Sequence, residues 1–159
     1  MAASCDTQRG SSCSDLGLFL IRAIVGVVGM YHGSQKLFGA FDGPGIKNFA
    51  AMLGKMNVPM PEVSATLSGI AEFGGGLALL VGFAVPIAAL LFAFNMGVAV
   101  GMVHWPKFSA QHGGMEYPLT LGVVALGLAF SGAGRLSLSG MCCRGSKAKG
   151  DFPATPTAT

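Results

Sequence analysis

The side chains in this sequence with the type and position to do chemistry are Arg22, His32, Lys36, Glu72, His104, His112, Glu116 and Tyr117. Arg22 and Glu72 stand inside long apolar stretches. A charge near the centre of a bilayer costs about 2.5–3.5 kcal/mol on insertion scales, so such residues face a bundle interior and find partners there. Arg22 lies about six residues, or ~9 Å, from one end of its stretch, and Glu72 about nine residues, or ~14 Å, from the opposite end. In a hydrocarbon core of ~30 Å their levels then differ by ~7 Å, within reach of an arginine side chain. An Arg22–Glu72 ion pair that sets helix register is one expectation. The other is that Glu72 exchanges protons or binds a ligand.

A second group gathers at the ends of the stretches. His32 and Lys36 are spaced i, i+4 on one helical face. His104 and Trp105 close the third stretch, while His112, Glu116 and Tyr117 precede the fourth. Histidine and carboxylate groups can shuttle protons. Trp and Tyr commonly sit at the membrane interface. The pattern suits either a site for a polar head group, such as a quinone ring, or plain interfacial anchoring. The spacings match no compact metal signature, and no metal is expected.

The elements that must position these residues are helices. Apolar runs span about Leu16–Leu37, Val63–Phe83, Val85–His104 and Pro118–Phe130. The first is long enough to cross a bilayer, at about 1.5 Å per residue. Arg22 within it argues against a cleavable signal peptide. The second and third runs are almost contiguous, so they form a tight hairpin, with Pro86 in the first turn of the third. The fourth is short and needs flanking residues to span. Between the first two runs, Ile46, Phe49, Ala50, Leu53 and Met56 recur at helical spacing, with Lys47, Asn48 and Lys55 off that face. This predicts a short amphipathic helix at the membrane surface.

Small residues share the charged stripes. Gly26, Gly29 and Gly33 follow Arg22 at i+4, i+7 and i+11, and Ser68, Gly69, Gly75 and Gly76 flank Glu72. They let helix backbones approach closely. Val28-Gly29-Met30-Tyr31-His32 is echoed by Val100-Gly101-Met102-Val103-His104, and Gly76-Leu77-Ala78 by Gly127-Leu128-Ala129. The echoes suggest two repeated helical hairpins.

Composition agrees with a membrane protein. Of 159 residues, 52% are hydrophobic and 11% charged, and 25 are glycine. Soluble domains carry about 25% charge. The net charge of +3 is partly due to Arg144, Lys147 and Lys149, a basic membrane flank; nothing suggests nucleic acid. The expected architecture is all-α. Residues 15–138 form a four-helix transmembrane bundle, flanked by flexible tails at 1–14 and, basic in character, at 139–159. Lys and Arg slightly favour the tail side, which places the tails in the cytoplasm. Cys5, Cys13, Cys142 and Cys143 all lie in polar segments and fit no zinc spacing. They read as exposed thiols, with lipidation of Cys142 and Cys143 as the alternative.

Taken together in order, these pieces resemble the DoxX family of small bacterial and archaeal membrane proteins. The resemblance covers about Asp15 to Leu138. It rests on Arg22, Tyr31-His32-Gly33, Lys36-Leu37-Phe38, Gly43-Pro44-Gly45, Glu72 in a Gly-rich helix, His104-Trp105-Pro106, Gly113-Gly114, Glu116-Tyr117-Pro118 and Gly134-Arg135. It implies a four-helix membrane fold in a bacterial-type plasma membrane. Name-giving members are subunits of a thiosulfate:quinone oxidoreductase, so the resemblance also implies a redox-linked subunit. The Cys-bearing tails depart from the family pattern.

The expected function is therefore a subunit of a quinone-linked oxidoreductase or redox-stress complex. No nucleotide loop and no haem or iron–sulfur ligation pattern is visible. Electrons would come from a partner subunit, and this chain would be at most a quinone-binding subunit. Membrane lipids and self-association are the other expected contacts. The alternatives are a non-enzymatic scaffold or assembly factor, and a small proton-coupled transporter with Glu72 as the coupling carboxylate.

Overall fold

A computed structural model describes residues 2–139, with side chains from Cys13 onward. Helices α1 (Ala2–Phe38), α2 (Gly45–Lys55), α3 (Pro61–Val81), α4 (Val85–Ala99) and α5 (Glu116–Ser131) follow one another. Among the described residues there are no strands. Helix α4 runs on through a π-helical turn, Val100–His104, and a short 3-10 turn covers Ala110–His112. The N-terminal segment expected to be flexible carries helical backbone from Ala2. The expected basic tail falls outside the described residues from 140 on.

Among the described residues, three stretches are long and apolar enough to cross a membrane: Cys13–Phe38, Pro61–Val81 and Val85–His104. Helix α5 is apolar but has only 16 residues, or ~24 Å. It is followed by an irregular segment that folds back along the bundle. Large apolar side chains such as Ile24, Leu67, Phe94 and Phe130 point outward, as expected where the surroundings are lipid.

Helix α1 packs chiefly on α3, and α4 on α5. The core between them is built mostly of small and medium residues, including Val25, Leu79, Ala89 and Ala125, around the large Phe92 ring. The glycine stripes sit where expected. A Cβ on Gly33 would fall 2.4 Å from the Phe73 backbone nitrogen, and one on Gly76 would fall 2.7 Å from the Gly26 carbonyl oxygen. Backbone cannot yield as a side chain does, so α1 and α3 would have to separate. Gly33→Ala should therefore cost about 1–3 kcal/mol, the usual range for overpacking. Gly74→Ala is the control, because nothing lies within 4 Å of a Cβ there. Thermal unfolding in detergent should show a lowered midpoint for the first and none for the second.

The α3–α4 hairpin turns through Gly82, Phe83 and Ala84. Gly82 takes φ +75°, and the Gly82 and Phe83 amides return to the Leu79 and Ala78 carbonyls. This is the glycine-terminated helix end that satisfies orphan carbonyls. Pro86 follows in the first turn of α4, as expected.

Helix α2 has the predicted apolar face but a different use for it. Phe49, Ala50 and Leu53 are buried with Val58 and Ala65. The face is turned to protein rather than to lipid, because α3 starts beneath it and supplies the apolar cover.

Candidate functional site

Lys36 lies in the last turn of α1, four residues after His32. Glu72 lies at mid-length on the buried face of α3, only 2% exposed. Close contact at Gly33 brings the two helices near enough for Lys36 Nζ to donate to Glu72 Oε1. The same ammonium donates to Ser68 Oγ at 3.4 Å and stands 5.0 Å from the centre of the Phe49 ring. The aromatic face adds cation–π attraction. Asn95 Nδ2, from α4, donates to Glu72 Oε1 at 3.0 Å. Helices α1, α3 and α4 thus converge on one carboxylate, and α2 covers the lysine that serves it.

Glu72 Oε1 accepts two hydrogen bonds, while its Oε2 is buried with no partner. An unpaired buried acceptor is uncommon in a native protein and marks a place where a proton, a water or a ligand belongs. The Lys36 side chain keeps 20% of its surface exposed, so the cluster is not sealed.

Helix α5 contributes Tyr117, whose hydroxyl lies 3.3 Å from His32 Nε2. His32 Nδ1 faces Gln35 Oε1 at 3.2 Å. That oxygen only accepts, so in the neutral ring Nδ1 carries the proton and Nε2 accepts from Tyr117. Tyr117 also lies within electrostatic reach of Glu72. The Phe41, Tyr31, His32 and Tyr117 rings follow one another with centroids 4.9, 5.4 and 5.7 Å apart. They form an aromatic ledge beside the Lys36–Glu72 pair.

The expected Arg22–Glu72 ion pair does not form. Gly29 lies against the Glu72 carbonyl, and Arg22 is seven residues, or ~10 Å, further along α1. The interhelical register therefore puts Arg22 out of reach. Arg22 instead donates from Nη1 to the Ala133 carbonyl and from Nη2 to the Leu136 carbonyl. It is 1% exposed. Irregular backbone at membrane depth survives only where its polar groups are satisfied internally, and Arg22 satisfies two of them. The segment is tied down further. Asp15 Oδ1 accepts from the Arg135 amide at 2.9 Å, and the Gly82 carbonyl accepts from the Ser139 hydroxyl at 3.1 Å.

The other expected residues are dispersed. His104 Nδ1 pairs with the Gly113 carbonyl at 2.8 Å and closes its own loop. Glu116 opens α5 with its amide on the Phe108 carbonyl, and His112 is exposed in the 3-10 turn. No hydrogen bond links His104, His112 or Glu116 to Glu72 among the described residues. Nor does any group of three His, Cys, Asp or Glu there come close enough to hold a metal. Cys13 is a free, exposed thiol.

Asn95, which donates to Glu72, and Ser68, which accepts from Lys36, are polar contacts that the sequence alone did not assign to this site. Asn95 had a visible signal, an amide in the middle of an otherwise apolar helix.

The family model for DoxX matches residues 17–105. The chain belongs to the DoxX family. The matched region contains Arg22, His32, Lys36, Ser68, Glu72 and Asn95, so the whole buried cluster is DoxX domain and only Tyr117 lies beyond it. With its three apolar stretches, this DoxX protein is an integral membrane protein. None of the curated proteins and none of the solved structures compared with the chain matches it.

Proposed function

We propose that this DoxX protein is the membrane subunit of a quinone-linked redox system and that the Lys36–Glu72–Asn95 cluster serves the quinone head group. The observation that carries this reading is the buried Glu72, with one oxygen held by Lys36 and Asn95 and the other unpartnered. The residues present suit such a ring. Lys36 and Tyr117 are partly exposed donors for ring oxygens, and aromatic rings stand beside them. A bound quinone would supply the redox chemistry, with electrons from a partner subunit.

The chain's own residues would hold and move protons. Tyr117 would turn its one O–H from His32 Nε2 to the ring oxygen, and His32, after taking a proton from the aqueous side onto Nε2, would return it to the phenolate oxygen it faces. Glu72 Oε2 takes up or releases a proton behind Lys36, whose fixed charge keeps the carboxylate tolerable in the bundle. Asn95 holds Oε1 still, so that Oε2 is the oxygen left to react.

The same proposal includes topology. Helix α5, closed at its end by the segment that bonds to Arg22, makes the fourth span, and α1 with α3 and α4 with α5 make the two hairpins. Both tails face the cytoplasm across a bacterial-type plasma membrane. The site then lies near the opposite face.

Quinone content of the purified protein tests the reading. Near-stoichiometric quinone is expected in the wild type, reduced about tenfold in Glu72→Gln and in Tyr117→Phe, since each removes a hydrogen bond to a charged or reacting group. Quinone no higher than background lipid in the wild type would remove the proposal's basis. A scaffold or assembly role would then be favoured, because Lys36, Asn95 and Ser68 already bond within the bundle.

A further inference from the structure

An open groove of about 600 Å³ runs between α2 and the start of α3. Its size lies within the ordinary range for small-ligand sites. Its walls carry opposite charges, Lys47 from α2 and Glu62 from α3, over an apolar floor that includes Ile46, Ala50, Gly54 and Pro61. The ion pairs among the described residues are Lys36–Glu72 and Asp15–Arg135. Lys47 and Glu62 therefore face one groove without pairing to each other. Both are exposed.

The groove opens where α3 begins, at one end of a membrane-crossing stretch, which is head-group level. Below it, Val63, Leu67 and Ile70 form an exposed apolar stripe down α3. Gly74 continues that stripe with nothing within 4 Å of its Cβ direction.

We propose that this groove binds a zwitterionic phospholipid with a primary-amine head group, a phosphoethanolamine. The phosphate meets the Lys47 ammonium, and the lipid ammonium donates to the Glu62 carboxylate. The acyl chains follow Val63, Leu67 and Ile70. A choline head group has no N–H to donate, so it forfeits the Glu62 hydrogen bond. A phosphoglycerol head group brings only negative charge and is repelled by Glu62. The inference is independent of the quinone reading, since Lys47 and Glu62 make no contact used there.

The test is lipid retention by the full-length chain in detergent, read by native mass spectrometry. The probes are phosphatidylethanolamine, phosphatidylcholine and phosphatidylglycerol with identical acyl chains. The wild type should retain the ethanolamine lipid about tenfold over the other two, the worth of one charged hydrogen bond. Glu62→Gln should bring the ethanolamine lipid down to the choline level, and Lys47→Gln should weaken ethanolamine and choline lipids together. The double variant Lys47→Glu/Glu62→Lys should regain the ethanolamine preference, because a zwitterion can reverse in the groove. Equal retention of all three lipids by the wild type would overturn the proposal. So would a phosphatidylglycerol preference, which would mean a simple basic patch. A preference unmoved by these variants, or a protein found seated in the groove, would overturn it equally. Both side chains are exposed, and an unchanged unfolding midpoint confirms that the variants fold.

Discussion

Lys36→Met is expected to destabilise the protein by about 3 kcal/mol, near the low end of the 3–5 kcal/mol seen when one partner of a buried pair is removed. The low end applies because the Lys36 side chain keeps 20% of its surface exposed while that of Glu72 keeps 3%. The variant leaves a buried carboxylate with Asn95 as its remaining donor. Replacing both partners should reverse most of this loss. Lys36→Met/Glu72→Leu substitutes apolar groups for the pair, and such exchanges are often neutral or stabilising. Unfolding midpoints of the wild type, the single variant and the double variant in one detergent provide the check. The comparison also separates structure from function. If the pair only holds α1 to α3, the double variant should behave as wild type in a cell-based redox assay. If Glu72 handles protons, the double variant should be stable and inactive. A double variant less stable than Lys36→Met would show that the cluster is needed for folding itself.

Arg22→Met is expected to cost about 2–6 kcal/mol, since two carbonyls lose their donors and each unsatisfied buried group costs about 1–3 kcal/mol. Methionine keeps much of the side-chain length, so lost packing contributes little. The damage should be local at first. The Ala133–Ser139 segment would detach from α1 and from the α3–α4 turn, because Arg22 binds the Ala133 and Leu136 carbonyls while Ser139 binds Gly82. Limited proteolysis should cut within 132–139 in the variant and spare the wild type. Arg22→Lys should rescue little, since one ammonium cannot match the planar fork that reaches two carbonyls. Wild-type resistance in Arg22→Met would remove Arg22 from this role. At Gly82 the same joint is crowded: a Cβ would fall 2.6 Å from Ser137 Cβ.

These two charges had been expected to answer each other, and each instead answers a different problem. Arg22 satisfies irregular backbone at one end of the bundle. Glu72 gathers Lys36 and Asn95 toward the other. The sequence carried a clear sign that both residues are buried and served, because a charge inside an apolar helix must be. Which partner serves each depends on axial register, and register is set by where the glycines of α1 let it settle on α3. A slide of two helical turns would have changed the pairing without altering any local pattern.

Hydropathy, helical spacing and glycine placement are properties of neighbouring residues. On its own, the chain's order therefore determined the all-α class, three of the four stretches expected to cross, the amphipathic face of α2 and the close-packed stripes. Only the tertiary structure decided that α2 turns its apolar face onto Ala65, that the segment after α5 folds back onto Arg22, and that Lys36 and Asn95 claim Glu72 Oε1 while leaving Oε2 free. The hydrogen bonds among those contacts join residues 23 to 114 positions apart. No local pattern encodes them, because they arise from how whole helices settle against one another once each has formed.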